Sequence, residues 1–267
     1  MSAESLYFAH ITDTHIGPTA DYQRHGFQPL ACAQRLVDVL NDLPTRPDFV
    51  IHTGDVATHP SDAAYALAAE VFARLTIPIY YVNGNHDTAA DIRHWLPMGP
   101  KTEIGAADSL AYTFEMKGYR CVALDGRGPD VIDPHGLLSR SQLAWLRQEA
   151  QADGPPLALF IHYPALPLNA PWMDNNMLLI NGAEMHRALL PARARLRGVF
   201  YGHVHQPMTT WRDGILYSCA PSAFAQFNAW PADGQVRMDP QYPPGYSFVH
   251  LLPEQTIIHH HTFERPI

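Results

Sequence analysis

The chain is poor in charge, and it has neither a run of Lys and Arg nor a long apolar run. Charged residues make up 16% of its 267 residues, and the formal net charge is -8. Duplex nucleic acid is therefore a poor partner, because its phosphates attract basic side chains. No apolar stretch approaches the roughly 18 residues of a membrane span, and no signal peptide is evident. These absences predict a cytoplasmic protein that binds neither duplex nucleic acid nor a membrane.

Cysteine is also scarce. Cys32, Cys121 and Cys219 are scattered, odd in number and without a CxxC pair. Such a set does not form a disulfide framework, and it is typical of a reducing compartment. We expect free or buried thiols.

Histidine, by contrast, is abundant, with sixteen residues. The triplet 259–261 lies in a predicted strand, residues 256–263. Strand alternation puts His260 on the face opposite His259 and His261, so we expect an edge strand rather than a metal site. The histidines at positions 10, 52, 59, 94 and 250 are expected either to fill polar positions or to contact and support site residues.

The first half of the chain alternates strand and helix. Apolar runs predict strands over 6–11, 48–52 and 79–82, and helical spacing predicts helices over 31–43 and 61–75. Ser61 is the expected N-cap of the second helix. This order implies right-handed crossovers and a parallel sheet.

The second half mixes hairpins, strands and helices. Lys117-Gly118 joins strands 110–116 and 119–124, and residues 211–214 turn a second hairpin. Two mixed sheets packed face to face with helices outside, an α/β architecture, fit the whole pattern. No linker or repeat is visible, so we predict one domain over 1–267, with 221–267 as a C-terminal cap and edge-strand segment. The remaining predicted elements are helices 139–148 and 184–190 and strands 157–161, 199–201, 246–252 and 256–263.

Two long stretches, 164–182 and 221–245, are predicted to be loops. Both contain aromatic side chains, which argues against disorder. Loops of this length in a compact protein are usually functional. They could form a pocket wall or a subunit contact, as in a homodimer, or simply pack on the surface.

Five short polar clusters come directly after apolar runs. In open α/β sheets ligands bind outside the carboxyl ends of the strands, so these clusters are expected to converge. They are Asp13-Thr14-His15, Gly54-Asp55, Gly84-Asn85-His86-Asp87, His162 and Gly202-His203-Val204-His205.

The residue types in these clusters suit a pair of divalent metal ions. Mixed imidazole, carboxylate and amide ligands favour Zn, Mn, Fe or Co over Ca. The carboxylate of Asp55 could bridge two ions. Two cations about 3.5–4 Å apart can clamp a phosphoryl group and generate hydroxide near neutral pH. The sequence therefore predicts a hydrolytic site that needs no Ser or Cys nucleophile.

As a set, these motifs resemble those of the calcineurin-like metallophosphoesterases over residues 6 to about 210. Within that superfamily the chain is most similar to bacterial class III cyclic nucleotide phosphodiesterases and glycerophosphodiester-hydrolysing relatives. Three features carry this likeness: Asp87, where many phosphomonoesterases have Glu; the stretch 164–168 with the later 173–174 and 181–182; and the overall length.

The resemblance implies a four-layer αββα sandwich and a role for each site residue. His86 would protonate the leaving alkoxide or stabilise charge on the phosphorane. For Asp87 we infer from its position, and not from the resemblance, that it orients His86 or caps the following turn. One metal ion would take Asp13, His15, Asp55 and His205, and the other Asp55, Asn85, His162 and His203.

The chain departs from many relatives at Tyr163, where they have a second histidine. Tyr163 could place a hydroxyl near the substrate, but packing is the favoured role. The segment 18–27 contains Tyr22, Arg24, His25 and Phe27. It lies where a substrate tail could pass, and a plain surface loop is the alternative.

The predicted function is hydrolysis of a small phosphodiester by a metal-bridging hydroxide. A cyclic nucleotide, a glycerophosphodiester and another small diester all remain open as substrates. A phosphomonoesterase or a broad phosphoesterase is the alternative, because the same dimetal centre can catalyse hydrolysis of both diesters and monoesters. A non-catalytic scaffold is disfavoured, because such relatives tend to lose ligands and none is lost here.

Overall fold

A computed structural model describes residues 4–231 and 234–266. The ends of the predicted domain and positions 232–233 of the predicted loop 221–245 lie outside the described residues. Helices and strands follow each other as β1 (Leu6–Ile11), α1 (Pro29–Asn41), β2 (Phe49–His52), α2 (Asp62–Phe72), β3 (Ile79–Tyr81), α3 (Ala89–Trp95), β4 (Thr102–Glu103), β5 (Tyr112–Met116), β6 (Tyr119–Ala123), α4 (Arg140–Gln151), β7 (Leu157–Phe160), α5 (Pro171–Asn176), α6 (Gly182–Leu189), β8 (Leu196–Tyr201), β9 (Met208–Arg212), β10 (Ile215–Cys219), β11 (Gln226–Asn228), β12 (Arg237–Asp239), β13 (Gly245–Leu251) and β14 (Thr256–Thr262).

Two large mixed sheets carry the fold. The first has the order β14-β13-β1-β2-β3, with β1, β2 and β3 parallel as predicted. The second has the order β4-β5-β6-β7-β8-β10-β9, in which β6, β7, β8 and β10 are parallel. Strands β11 and β12 form a separate antiparallel pair.

The sheets pack face to face through aromatic rings. Phe8 of β1 lies edge-on to Phe160 of β7 and Phe200 of β8, with ring centroids 5.5 and 5.0 Å apart. Strand alternation turns Leu159 and Val199 to the opposite face, where they join a second apolar cluster with α4 and α6. Helices α1 and α2 cover the outer face of the first sheet. The predicted four-layer αββα arrangement of mixed α/β sheets is confirmed.

Local sequence signals placed most elements within a few residues. Ser61 caps α2 by accepting a hydrogen bond from the backbone N–H of Ala64. Lys117 and Gly118 both have positive φ, as a two-residue hairpin turn requires. Strand β14 lies at the edge of its sheet, and Ser247 hydrogen-bonds His260 while His259 and His261 lie side by side. The three cysteines are free and buried as expected.

Both predicted loops contain regular structure. Residues 164–182 include the short helix α5, and residues 221–245 include the β11-β12 hairpin. Helix α3 was also not predicted, although Thr88 and Asp91 form a cap that the sequence displays. Among the described helices, none combines the length and apolar character needed to cross a bilayer.

Candidate metal centre

Five strand ends deliver the predicted site residues to one edge of the sandwich. Three loops follow β1, β2 and β3: the first loop (residues 12–16), the second loop (residues 53–58) and the third loop (residues 82–88). His162 follows β7, and residues 202–205 follow β8. Most of the predicted residues line one cavity of about 160 Å³, namely His15, Asp55, Asn85, His86, His203 and His205. Asp13 and His162 are fully buried and contact these residues from below.

The first and second loops run side by side, joined by backbone hydrogen bonds. Asp13 N–H donates to the Gly54 carbonyl, His15 N–H to that of Asp55, and Ile16 N–H to that of Val56, at 2.9–3.0 Å. These bonds hold Asp13, His15 and Asp55 in left-handed backbone conformations, with φ of 55°, 46° and 58°. His203 and His205 share the feature, with φ of 72° and 47°. Such conformations cost about 1–3 kcal/mol each and cluster at functional sites.

Glycine is needed beside Asp55 for two different reasons. Gly54 has φ of 100°, a conformation that side chains rarely adopt, so it makes the predicted tight turn. A Cβ on Gly84 would lie only 2.1 Å from Oδ1 of Asp55. The third loop can therefore approach the carboxylate only without a side chain at that position.

Three side chains form a first cluster of potential ligands. Asp13, His15 and His205 each offer one ligand atom, and all these atoms lie within 4.8 Å of one another. Oδ1 of Asp13 is 3.3 Å from Nε2 of His205 and 3.9 Å from Nε2 of His15. The other oxygen, Oδ2, accepts hydrogen bonds from Oγ1 of Thr12 and the N–H of His203. These bonds fix the carboxylate so that Oδ1 faces the two imidazoles.

A second cluster consists of Asp55, His162 and His203. Oδ2 of Asp55 lies 3.4 Å from Nε2 of His162 and 3.5 Å from Nε2 of His15. This single oxygen therefore lies between the two clusters. Its partner Oδ1 accepts a hydrogen bond from the N–H of His86. A third grouping of His15, Asp55 and His86 overlaps both clusters.

Backbone carbonyls select the ring nitrogen that His162, His203 and His205 present. Nδ1 of His162 donates to the Thr53 carbonyl at 2.7 Å, and Nδ1 of His205 to that of Ala225 at 2.9 Å. His203 uses its other ring nitrogen, because its Nε2 donates to the Pro134 carbonyl at 2.9 Å. A proton held at one nitrogen leaves the other with a lone pair. The cavity thus receives Nε2 from His162 and His205 and Nδ1 from His203.

Several buried polar atoms at the centre have no hydrogen-bond partner among the described residues. They are Oδ1 of Asp13, Oδ1 of Asn85 and Nε2 of His162. Nε2 of His15 and Nε2 of His205 lie 3.0 Å apart, although Nδ1 of His205 already carries a proton. Buried polar groups are normally satisfied, and a cluster of unsatisfied lone pairs is explained by a cation. The donor set therefore fits divalent metal ions.

Burial and neighbouring charges set the protonation of these groups. Burial lowers the pKa of His15 and His203, to about 3 for His203, so both rings are neutral. Burial opposes ionisation of Asp13 and Asp55, but the adjacent histidines outweigh it and hold both pKa values below the usual range. Burial also disfavours a charged His162, yet Asp55 raises the pKa of His162 to about 9. The attraction that favours a proton there would equally favour a metal cation.

His86 lies at the cavity with one nitrogen occupied. Its Nδ1 donates to the Thr58 carbonyl at 2.7 Å, and its ring centroid is 4.9 Å from that of His15. Nε2 is therefore the nitrogen available for proton transfer. Thr58 was not among the predicted site residues, because a residue that acts through its carbonyl has no signature in sequence.

The contacts of Asp87 differ from both roles suggested by the sequence. Its carboxylate accepts hydrogen bonds from the N–H groups of Val56, Ala57 and Gly84 and from the hydroxyl of Tyr65. Within the described residues it makes no hydrogen bond to His86. The helix that follows is capped by Thr88. Asp87 joins the second loop to the third and acts as a positioning residue.

Tyr163 is fully buried and packs under the centre, as favoured from the sequence. Its ring is 5.0 Å from that of His162 and 4.9 Å from that of His203, measured between centroids. Close approach of the ring leaves no room for a Cβ at Gly126 or Gly136. Its contacts support the orientation of two histidines.

The cavity wall mixes aromatic, aliphatic and basic side chains. Trp172, Met177 and Phe227 come from the two predicted loops, and Arg24 comes from the segment that follows the first loop. A larger cavity of about 730 Å³ is lined by Asn83 and Thr88, at the two ends of the third loop. Among the described residues, the clusters of three or more potential ligands lie outside it. The chemistry therefore points to the smaller cavity.

The chain is similar to known proteins. Residues 6–207 match the family described as calcineurin-like phosphoesterase. A Vibrio vulnificus protein named 3',5'-cyclic adenosine monophosphate phosphodiesterase CpdA is 28% identical over 85% of this chain and 80% of its own. An Enterobacter lignolyticus protein named glycerophosphodiester phosphodiesterase GpdQ is 29% identical over 96% of this chain and 91% of its own.

The fold is also found among solved structures. A dimetal phosphatase from Danio rerio superposes with a TM-score of 0.70 and covers 96% of both chains. Its sequence identity is only 14%, so this likeness concerns the arrangement of helices and strands.

Proposed function

The chain belongs to the calcineurin-like phosphoesterase family, and from this premise we propose that it hydrolyses small phosphodiesters with two divalent metal ions. That it is a phosphoesterase follows from the family, and the prediction of an enzyme is confirmed. The choice of substrate, the metal ions and the role of each residue belong to the proposal. A cytoplasmic location belongs to it as well.

One observation carries the proposal: potential ligand atoms from five separate chain segments converge at one buried point. Among the described residues, Oδ1 of Asp13, Oδ1 of Asn85 and Nε2 of His162 have no hydrogen-bond partner there. Asp13, His15 and His205 would hold one ion, and Asn85, His162 and His203 the other. Asp55 would contact both, because its Oδ2 lies between His15 and His162. When bound, such an ion pair supplies hydroxide near neutral pH and neutralises charge on phosphoryl oxygens.

His86 is positioned to donate a proton to the leaving group. Its Nδ1–H is held by the Thr58 carbonyl, so a second proton would reside on Nε2, at the cavity. In that form the ring can donate to the departing alkoxide and limit the charge that develops on it. The hydrogen bond to Thr58 also fixes the ring plane, which is what a proton donor requires.

The names of the relatives and the form of the cavity support a small diester. Two relatives are named for cyclic nucleotide and glycerophosphodiester hydrolysis. The cavity of about 160 Å³ has room for a phosphoryl group and a small substituent. Trp172 and Phe227 at its wall could contact a planar base, which favours a cyclic nucleotide.

Protein loaded with manganese and assayed on bis(p-nitrophenyl) phosphate tests the reaction. Wild-type protein should release p-nitrophenol faster from this diester than from p-nitrophenyl phosphate. Asn85→Ala should lower kcat/KM by about 100-fold or more, because losing one ligand weakens both cation binding and charge neutralisation. Elemental analysis should show fewer metal ions per chain in this variant.

Asn175→Ala is a matched control, because Asn175 is an exposed residue of α5. It should keep wild-type activity and metal content. Full activity of Asn85→Ala, or faster hydrolysis of the monoester by wild-type protein, would contradict the proposal. Cyclic AMP, cyclic GMP and glycerophosphocholine, assayed with the same preparation, would identify the class of diester.

A further inference from the structure

Arg24 is the only Lys or Arg among the described residues that line the cavity. It is half-buried, and one guanidinium nitrogen, Nη1, donates to Oγ1 of Thr58 at 2.5 Å. In the described part of the chain, no carboxylate lies within ion-pair distance of it. Many other arginines of the protein are paired with acidic residues, including Arg93 and Arg120. A guanidinium has five N–H donors, so most of those on Arg24 remain available.

The backbone holds Arg24 at the start of a tight turn. Arg24 and Phe27 exchange two backbone hydrogen bonds, of 2.9 and 3.0 Å, around His25 and Gly26. His25 and Gly26 both have positive φ, 54° and 80°, as in a two-residue hairpin turn. The Phe27 ring is covered by the guanidinium of Arg265 at 3.9 Å. The turn is therefore anchored on both sides, by Thr58 through Arg24 and by Arg265 through Phe27.

Thr58 connects Arg24 to the site. Its hydroxyl accepts from Arg24, and its carbonyl accepts from Nδ1 of His86. Thr58 is buried, and its N–H donates to the carbonyl of Ile16, the last residue of the first loop. One residue thus positions both the guanidinium and the imidazole against the same cavity.

We propose that Arg24 donates hydrogen bonds to a non-bridging oxygen of the substrate phosphoryl group and stabilises the charge that builds there. This inference rests on the proposed function for the identity of the substrate. A phosphodiester carries one negative charge, and attack by hydroxide adds a second. A fixed guanidinium beside the phosphorus therefore interacts more strongly with the transition state than with the bound diester. Its fork geometry suits two adjacent oxygens.

Arg24→Gln tests this role, because glutamine retains hydrogen-bonding groups and removes the charge. In manganese-loaded protein, kcat on bis(p-nitrophenyl) phosphate should fall about 10- to 100-fold, as expected for a lost charge-assisted hydrogen bond. KM should change less than kcat, because the interaction strengthens in the transition state. Arg24→Lys should recover part of the loss, since it restores the charge without the fork.

A second readout is independent of turnover. Titration calorimetry with inorganic phosphate, whose charge at pH 7 exceeds that of a diester, should give a dissociation constant about tenfold higher for Arg24→Gln. Manganese content should equal that of wild type. Arg35→Gln, the same change at an exposed position of α1, should leave kcat and phosphate affinity unchanged.

The outcomes separate this inference from the proposed function. If wild-type protein fails to cleave diesters but Arg24→Gln still weakens phosphate binding, the diesterase assignment fails and the phosphoryl contact stands. If Arg24→Gln matches Arg35→Gln in phosphate affinity and kcat, the contact is refuted. Loss of manganese from Arg24→Gln would mean that Arg24 supports the centre instead, and this would also overturn the inference.

Discussion

At the scale of single residues, Asp87 is a buried carboxylate whose hydrogen bonds connect two loops of the site. It lies fully buried and accepts three backbone N–H groups and one hydroxyl, which come from α2 and from the second and third loops. Burial raises the pKa of Asp87, and the negative charge of Asp55 adds to this. The hydrogen bonds oppose that rise. They also tie the loop that contains Asp55 to the loop that contains Asn85.

Asp87→Asn should lower the free energy of unfolding by about 2–3 kcal/mol, because its amide NH₂ would face N–H donors that then lack acceptors. Urea unfolding in the presence of a chelator measures this without a contribution from bound metal. Tyr65→Phe removes only the hydroxyl that donates to Asp87 and should cost about 1 kcal/mol. Equal stability of Asp87→Asn and wild type would show that the carboxylate is not the tie between the loops.

At the scale of elements, the third loop depends on the short helix α3 that follows it. Thr88 caps α3: its hydroxyl accepts from the N–H of Asp91 at 3.1 Å and donates to the Asp91 carboxylate. The helix has seven residues, too few to be stable by itself. The cap and the packing of Ile92 therefore hold the end of the loop that carries Asn85 and His86.

Thr88→Ala should cost about 1 kcal/mol of unfolding free energy, the usual effect of losing an N-cap. It should also weaken manganese binding, measured by calorimetry, because the third loop loses its anchor. Ser139→Ala removes an equivalent cap from α4 in the opposite outer layer. That control should lose similar stability and bind manganese as wild type does. Identical manganese affinities for the two variants would show that the cap of α3 does not support metal binding by the third loop.

At the scale of the whole molecule, the segment after β10 presents aromatic side chains to solvent. Trp230 is 62% exposed and Tyr242 is 40% exposed. Such residues are enriched at subunit interfaces. A dimer contact through this segment, expected from the sequence, stays a prediction. Trp230 is more exposed than Tyr242 and is the residue chosen to test it.

Sedimentation equilibrium of wild-type protein should reveal a dimer, and Trp230→Glu should shift the equilibrium toward monomer, because a charge at an interface core is costly. Trp211→Glu is the matched control, since Trp211 is 69% exposed but lies on β9 at the edge of the second sheet. It should leave the mass distribution unchanged. A monomeric wild type, or equal effects of both variants, would count against this contact.

Much of this protein was determined by local sequence alone. Apolar runs ending in polar clusters located β1, β2, β3, β7 and β8 together with the candidate ligands at their ends, because strand ends in a parallel sheet meet at one edge. Caps such as Ser61 and turns such as Lys117-Gly118 act within a few residues. The positions of these caps and turns can therefore be predicted from the sequence.

Other features were decided only by the tertiary structure. Which nitrogen His203 presents depends on the Pro134 carbonyl, and the role of Asp87 depends on backbone groups about thirty residues away. The left-handed backbone at Asp13 and Asp55 is held by bonds between two loops. The position of Arg24 depends likewise on Thr58. Each of these rests on contacts between distant segments, and such contacts exist only once the two sheets have packed together.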